Sequence, residues 1–283
     1  MTPTPRPPDP PPLTHAALFA DVGLDDLCGL GGPESHDHEM RGSTEPSVHL
    51  LDGLDRSRLV IDEELLVAHR PTLLKALYAE HDADLFCQEL DRRVATGRLA
   101  LGPAFRAFER LWRRDELDHT VGFARLFAVL YREDEAAVLT ALRRREADFT
   151  PLEPFLADEF SICLLLAYDE LATTLSYAED WKLFYPRFGD ERLTGWMKRL
   201  AADEARHYGN LIRVLTTVHR NSLPRAVRVM DAIHALDLER PEYRGTFVPD
   251  HDDPAVFPAA HPDECRRRVA KSLGLAPAAH PEE

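Results

Sequence analysis

Two copies of the pattern Glu-x-x-His constrain this chain more than any other feature. One copy lies at Glu116–His119 and the other at Glu204–His207, and an aspartate, Asp115 or Asp203, precedes each. On an α-helix, side chains three residues apart leave the same face, so each pair can bind one metal ion. Because both copies lie in long segments of helical periodicity, they predict the two halves of a carboxylate-bridged dimetal centre inside a helical bundle.

Helical periodicity extends over most of the chain and predicts an all-α fold, since no alternation typical of strands is evident. Pro71 predicts a break between a short helical segment and the first long helix. The predicted helices cover about 57–69, 72–96, 103–131, 133–149, 155–184, 191–219 and 223–236, and a last short helix ends near residue 273. Four of them are long enough to form a four-helix bundle, and the others are expected to flank it.

The two ends of the chain differ in composition from its middle. Residues 1–50 are rich in proline and glycine and predict an irregular arm that is disordered or draped over the bundle. Residues 51–240 are assigned to the bundle with its metal site, and residues 241–283 to an irregular segment with one short helix. The arm contains Glu-Ser-His-Asp-His-Glu at 34–39, but we favour a solvated polar loop there because isolated loop ligands lack supporting contacts.

Composition argues against several classes of protein. The chain has 34 basic and 49 acidic residues and a formal net charge of −15, which disfavours nucleic-acid binding through phosphate neutralisation. Cys28, Cys87, Cys163 and Cys265 form no Cys-x-x-Cys, so neither a disulfide framework nor a zinc site is indicated, and Cys87 and Cys163 are expected to be small buried residues. We expect a cytoplasmic protein without a membrane span, because no secretion signal or long apolar segment is evident.

The helix hairpins indicate the remaining candidate ligands, because residues equally far from a short turn lie at the same height in antiparallel helices. The turn near residue 188 places Glu170 level with Glu204. The turn near residue 100 places the position opposite Glu116 near residue 83, so Glu80 and Asp84 are both candidates. We prefer Glu80, because the 36 residues between it and Glu116 parallel the 34 residues between Glu170 and Glu204. Asp84 stays open as the alternative.

The predicted site has four carboxylates and two imidazoles, three protein ligands for each metal: Glu80, Glu116, His119, Glu170, Glu204 and His207. Two divalent ions would neutralise the four carboxylates, whereas the empty site would hold repelling charges, so metal binding is expected to stabilise the fold. Hard oxygen ligands favour two iron ions over zinc, and manganese or a mixed pair stays open. Asp115 and Asp203 are placed to accept a hydrogen bond from an imidazole of the opposite helix. Solvated helix faces carrying ion pairs are the alternative interpretation.

The segments that carry these residues resemble the ferritin-like di-iron oxidases and oxygenases, in particular the soluble acyl-acyl-carrier-protein desaturases. Residues 200–207, Leu-Ala-Ala-Asp-Glu-Ala-Arg-His, are similar to the fourth-helix motif of that family. Residues 169–173 resemble its third-helix segment, and residues 115–119 its second-helix motif. The resemblance covers about residues 70–220 and implies a ferritin-like four-helix bundle with additional flanking helices. It also implies that Glu170 is a bridging ligand and that Arg206 supports the ligands.

The resemblance further implies that the reduced metal pair activates O2 and desaturates or hydroxylates an apolar substrate, which includes acyl chains. Thr173 and Thr174 follow Glu170 by one turn, where relatives place a threonine on the oxygen-binding side; a bond to the helix backbone is the alternative. Electrons must come from an external ferredoxin or reductase, because the chain has no dinucleotide fingerprint and no cysteine cluster. An acyl carrier protein is a candidate partner. It would dock on basic residues at Arg106, Arg110, Arg113 and Arg114 or at 143–145, although solvated helix faces are the simpler interpretation.

Other functions stay open from the sequence. The enzymatic alternative is an N-oxygenase or another small-molecule oxygenase of secondary metabolism. The non-enzymatic alternatives are a metal-storage bundle, which predicts more than two irons per chain, and a metal-free helical adaptor. Phe123 follows His119 by four residues, where ribonucleotide reductase small subunits carry a radical tyrosine, so that chemistry is disfavoured. The oligomeric state is open, a homodimer included.

Overall fold

The computed structural model describes residues 40 and 43, residues 45–239 and residues 261–275. The predicted polar loop at 34–39 and most of the predicted arm lie outside these residues. Within them the chain is helical and contains no strand, which confirms the all-α prediction for this part. The α-helices are α1 (Glu63–Ala95), α2 (Pro103–Tyr131), α3 (Glu135–Leu142), α4 (Glu159–Leu183), α5 (Glu191–Thr217), α6 (Ala226–Glu239) and α7 (His261–Ser272).

Local sequence signals explain where most of these helices begin. An aspartate side chain accepts a hydrogen bond from a backbone N–H of the first turn of α1, α3, α4 and α5, at Asp62, Asp134, Asp158 and Asp190. Helix α2 begins with Pro103. Proline has no backbone N–H, and at the first position of a helix this costs nothing, because an N–H there has no acceptor within the helix. Gly97 follows α1 and Gly189 precedes α5, both with a φ of 70°, a conformation that glycine adopts without strain.

The predicted break at Pro71 is wrong, because α1 continues through this proline from Glu63 to Ala95. A proline inside a helix removes one hydrogen bond to the carbonyl four residues earlier, here that of Val67. Pro71 is exposed and Val67 is 75% exposed, so water can reach this side of the helix and replace the missing donor. The loss is therefore tolerated at the solvent face of the bundle.

Two other helix boundaries also differ from the prediction. Helix α3 ends at Leu142 rather than near residue 149, and a 3-10 turn at Thr150–Phe155 precedes α4. A second 3-10 turn at Arg220–Arg225 delays the start of α6. Both turns contain proline, which cannot donate the backbone hydrogen bond that an α-helix needs at an interior position.

The four long helices pack as two hairpins, α1 with α2 and α4 with α5, and α2 also contacts α5. At that crossing Gly122 lies against the ring of Trp196, and a Cβ on Gly122 would be 2.5 Å from Trp196 Cζ2. Helices α6 and α7 pack on α4, and the 3-10 turn Ser47–Leu51 packs on α2 and α5. No helix in the described part of the chain is long and apolar enough to cross a membrane.

Buried apolar residues form two clusters at different heights of the bundle. One cluster contains Phe86, Trp112, Leu166 and Tyr208, and the other contains Leu77, Phe123, Tyr177 and Leu200. Each long helix therefore contributes to both clusters, and the order of the clusters reverses between the two helices of each hairpin, as expected for antiparallel neighbours. Cys87 and Cys163 are fully buried in the first cluster, as predicted. The Glu-x-x-His motifs lie at the level where the two clusters meet.

Candidate metal centre

Six acidic and imidazole side chains from the four long helices meet between the two apolar clusters. Each of the six residues is at most 6% exposed. They form two groups, and within each group the potential ligand atoms lie within 4.8 Å of one another. The first group is Glu80, Glu116, His119 and Glu204, and the second is Glu116, Glu170, Glu204 and His207. Each group could hold a metal ion, and Glu116 and Glu204 belong to both.

Glu170 belongs to one group only, whereas the family resemblance implies that it bridges the two metal positions. Its Oε2 lies 3.1 Å from Nδ1 of His207. Glu204, in contrast, lies 3.1 Å from Nδ1 of His119 and 3.2 Å from Nδ1 of His207. The physical reason is the helix arrangement: α2 and α5 contact each other directly, so Glu116 and Glu204 lie between the two imidazoles.

The structure also separates the two candidates on α1. Oε2 of Glu80 lies 3.2 Å from Nδ1 of His119. Asp84 lies outside both groups, and its Oδ1 accepts a hydrogen bond of 2.6 Å from Nε of Arg113 on α2. Glu80 is therefore part of the cluster, and Asp84, one turn further along α1, forms an ion pair with Arg113 outside it.

Burial and mutual repulsion shift the protonation of the cluster in the metal-free protein. Burial, together with the neighbouring carboxylates, raises the pKa of Glu116 and of Glu170 well above the usual value. Burial alone would raise the pKa of Glu204 too, but its contacts with both imidazoles outweigh burial and lower it. The carboxylates also overcome the effect of burial on His119 and His207, whose pKa values are raised. The metal-free cluster thus holds protons that bound metal ions would displace.

The two aspartates that precede the motifs hold the imidazoles from outside. Nε2 of His119 lies 3.4 Å from Oδ2 of Asp203, and Nε2 of His207 lies 3.3 Å from Oδ2 of Asp115. Each aspartate therefore contacts the imidazole of the opposite helix, as the spacing predicts. An N–H donated from Nε2 would leave Nδ1 of the ring, which faces the shared carboxylates, available to bind a metal.

Arginines neutralise both aspartates. Nη2 of Arg114 lies 2.9 Å from Oδ1 of Asp115, and with His207 it outweighs burial and lowers the pKa of Asp115 to about 2. Asp203 forms ion pairs with Arg206 and with Arg199, whose Nε lies 3.3 Å from Oδ1 of the aspartate. Arg206 therefore contacts Asp203, which in turn contacts the candidate ligand His119.

The two threonines after Glu170 differ in environment. Thr174 is fully buried, and its hydroxyl donates a hydrogen bond of 2.6 Å to the backbone carbonyl of Glu170. This is the backbone contact that the sequence left as the alternative to a role at the metals. Thr173 is half-buried on the same helix.

Tyr177 is a residue at the centre that the sequence did not assign to the site. Its hydroxyl donates a hydrogen bond to Oε1 of Glu80, and its ring lies 5.7 Å from that of Phe123, measured between centroids. Burial, followed by the charge of Glu80, raises the pKa of Tyr177 well above the usual value, so the phenol stays protonated. The available signal was its spacing: Tyr177 follows Glu170 by two helical turns and faces the same side of α4.

Most of the arginines considered for docking an acidic carrier protein contact acids of the chain itself. The contacts join Arg106 to Glu109 and Asp91, Arg113 to Asp84, Arg114 to Asp115, and Arg145 to the fully buried Asp82. Arg110, Arg143 and Arg144 are exposed. The arginines on α2 are thus largely neutralised by neighbouring carboxylates.

Comparison of the chain with protein-family models, with curated proteins and with solved structures gave no match.

Proposed function

We propose that this chain is a ferritin-like dimetal oxidoreductase that uses O2 to oxidise an apolar substrate, by desaturation or hydroxylation. The observation that carries the proposal is the pair of buried ligand groups that share Glu116 and Glu204. One glutamate from each of two helices and one Glu-x-x-His from each of the other two is the ligand arrangement of ferritin-like di-iron carboxylate proteins.

The donor set fits two iron ions. Four carboxylates and two imidazoles balance the charge of two divalent ions, and hard oxygen donors suit iron or manganese better than zinc. Iron, when bound, would supply the redox chemistry with O2. The protein would supply the ligands, the aspartates that hold both imidazoles, and a site that apolar clusters shield from water on two sides.

Tyr177 determines how Glu80 can contribute. Because the phenol donates a hydrogen bond to Oε1, the other carboxylate oxygen, Oε2, remains for the centre and faces His119. Glu80 would thus offer Oε2 to the centre, whereas Glu116 and Glu204 belong to both ligand groups.

The substrate in this proposal is a small apolar molecule rather than an acyl chain bound to a carrier protein. Three of the four arginines proposed for docking on α2 have acidic partners within the chain, which leaves less positive charge for an acidic partner. Hydroxylation, desaturation and N-oxygenation all fit a site of this kind. Electrons would come from a ferredoxin or a reductase.

The test is to load the full chain with iron(II) without air, expose it to O2 and follow O2 uptake and the absorption of oxidised iron. We expect rapid uptake in proportion to the bound iron, and its loss in Glu116→Gln. Glu64→Gln, an exposed position on α1, is the matched control and should behave as wild type. Mass spectrometry after incubation with apolar compounds would show a gain of one oxygen or a loss of two hydrogens.

The alternatives give different results in the same experiment. A loaded protein that consumes no O2 would contradict the proposal. Continued iron uptake beyond two ions per chain would indicate storage, and absence of bound metal would indicate a helical adaptor.

A further inference from the structure

Ser43, which precedes the bundle in the chain, contacts residues that support the metal centre. Its backbone N–H donates a hydrogen bond of 3.2 Å to Oδ2 of Asp115, 72 residues later. Its carbonyl accepts one of 2.8 Å from Nη2 of Arg114, and its hydroxyl accepts one of 2.6 Å from Nη2 of Arg199. All three polar groups of this residue are therefore engaged by α2 and α5.

These contacts reach both halves of the centre. Asp115 is the aspartate that contacts His207, so the N–H of Ser43 acts on one half-site directly. Arg199 forms an ion pair with Asp203, the aspartate that contacts His119, so the hydroxyl of Ser43 acts on the other half-site through Arg199. Both aspartates are at most 3% exposed. If either loses one of these contacts, bulk water cannot take its place without cost.

The chain after Ser43 is fixed beside the same helices. Oδ2 of Asp118 accepts hydrogen bonds from the backbone N–H of Ser47 at 2.5 Å and from its hydroxyl at 2.6 Å. Ser47 is 3% exposed and begins the 3-10 turn that packs on α2 and α5. A pocket of about 130 Å³ lies beside this segment, and its lining includes Ser43, Asp115, Asp118 and Asp203. Ser43 thus lies on the outer side of both aspartates.

We propose that Ser43 is a positioning residue for both halves of the dimetal centre. It holds Asp115 through its N–H and Arg199 through its hydroxyl, and these residues in turn fix the orientation of the two imidazoles. The inference rests on the proposed function, because it requires that the six residues bind metal. Loss of contacts of this kind to a ligand typically lowers metal affinity by about 10- to 100-fold. Ser43 is one residue further from the metals, so we expect the low end of that range.

The test uses the full chain loaded with cobalt(II), whose visible absorption reports the geometry of its ligands. Excess chelator is added and the loss of absorption is followed. Ser43→Ala removes the hydroxyl that contacts Arg199 and keeps the N–H that contacts Asp115, so we expect it to release the cobalt ion of the His119 half-site about 10-fold faster than wild type and to shift the cobalt bands. Ser43→Thr keeps the hydroxyl and should restore the wild-type rate and spectrum. Ser57→Ala, in the exposed turn Arg56–Arg58, is the control and should match wild type.

A second variant tests the route from Ser43 through Arg199 to the same half-site. Arg199→Gln removes the contact to Asp203 but leaves Asp115 and its partners, so one of the two cobalt ions should be released faster and the other at the wild-type rate. A purely structural role for Ser43 would lower the melting temperature of the Ser43→Ala variant without changing the cobalt spectrum or the release rate. That result would overturn this inference while leaving the proposed function intact. A wild-type chain that binds no cobalt would overturn both.

Discussion

Replacing a shared carboxylate should remove twice as much metal stabilisation as replacing an unshared one. Glu116 belongs to both ligand groups and Glu170 to one. An ion present at 100 times its dissociation constant stabilises the folded state by about 2.7 kcal/mol, so two ions would add about 5.4 kcal/mol. At roughly 2–4 °C per kcal/mol for a protein of this size, the metal-induced rise in melting temperature is about 10–20 °C. Glu116→Gln should abolish this rise, and Glu170→Gln should leave about half of it.

Metal-free stability provides the internal control for this prediction. Burial and the neighbouring carboxylates raise the pKa of both Glu116 and Glu170, which favours the neutral form of each in the metal-free protein, and glutamine is neutral and close to it in shape. Scanning calorimetry without metal should therefore show similar melting temperatures for wild type, both variants and the exposed control Glu64→Gln. The reasoning would be refuted if the Glu116 and Glu170 variants lost equal fractions of the metal-induced rise.

Gly122→Ala should lower the free energy of unfolding by about 1–3 kcal/mol, because its Cβ would overlap a buried tryptophan ring. Gly195→Ala has open space around its Cβ and should raise the free energy of unfolding by up to about 1 kcal/mol. Urea unfolding measures both variants, and equal changes in the free energy of unfolding would contradict the packing of Gly122 against Trp196. The raised pKa values of His119 and His207 stabilise the metal-free protein below the ordinary imidazole value of about 6.5, and this stability is lost as pH rises through the raised values. Metal ions displace those protons, so the metal-induced rise in melting temperature should become larger from about pH 6 to 8. A rise that stays the same or becomes smaller over this pH range would contradict this expectation. Tyr177→Phe removes the hydroxyl that donates to Glu80 and should weaken metal binding by about 10-fold in a chelator competition. An unchanged affinity would exclude a role of Tyr177 in supporting Glu80 as a ligand.

The pattern of the sequence was sufficient to predict that six side chains would face the interior at one height. Helical periodicity and the Glu-x-x-His spacing depend on local geometry, and the symmetry of two hairpins predicts which positions are level. The same reasoning could not decide between Glu80 and Asp84, which lie one turn apart on the same helix. The difference comes from the neighbouring helix, where Arg113 forms an ion pair with Asp84.

Features that depend on contacts between distant residues were not predictable. Glu204 belongs to both ligand groups and Glu170 to one because α2 contacts α5 directly, and no spacing along the chain reveals this contact. The contacts of Ser43 join residues far apart in sequence through backbone groups that leave no pattern in the side chains. Pro71 was misleading because its effect depends on exposure, which a local rule does not include.

The most direct test of the central claim is the number of metal ions bound per chain. The full chain would be loaded with iron(II) without air, separated from free metal by gel filtration and analysed for iron and protein in the same fractions. The two ligand groups predict two ions per chain for wild type and at most one for Glu170→Gln. A wild-type protein that elutes without metal, or with many ions per chain, would contradict a dimetal centre at this site.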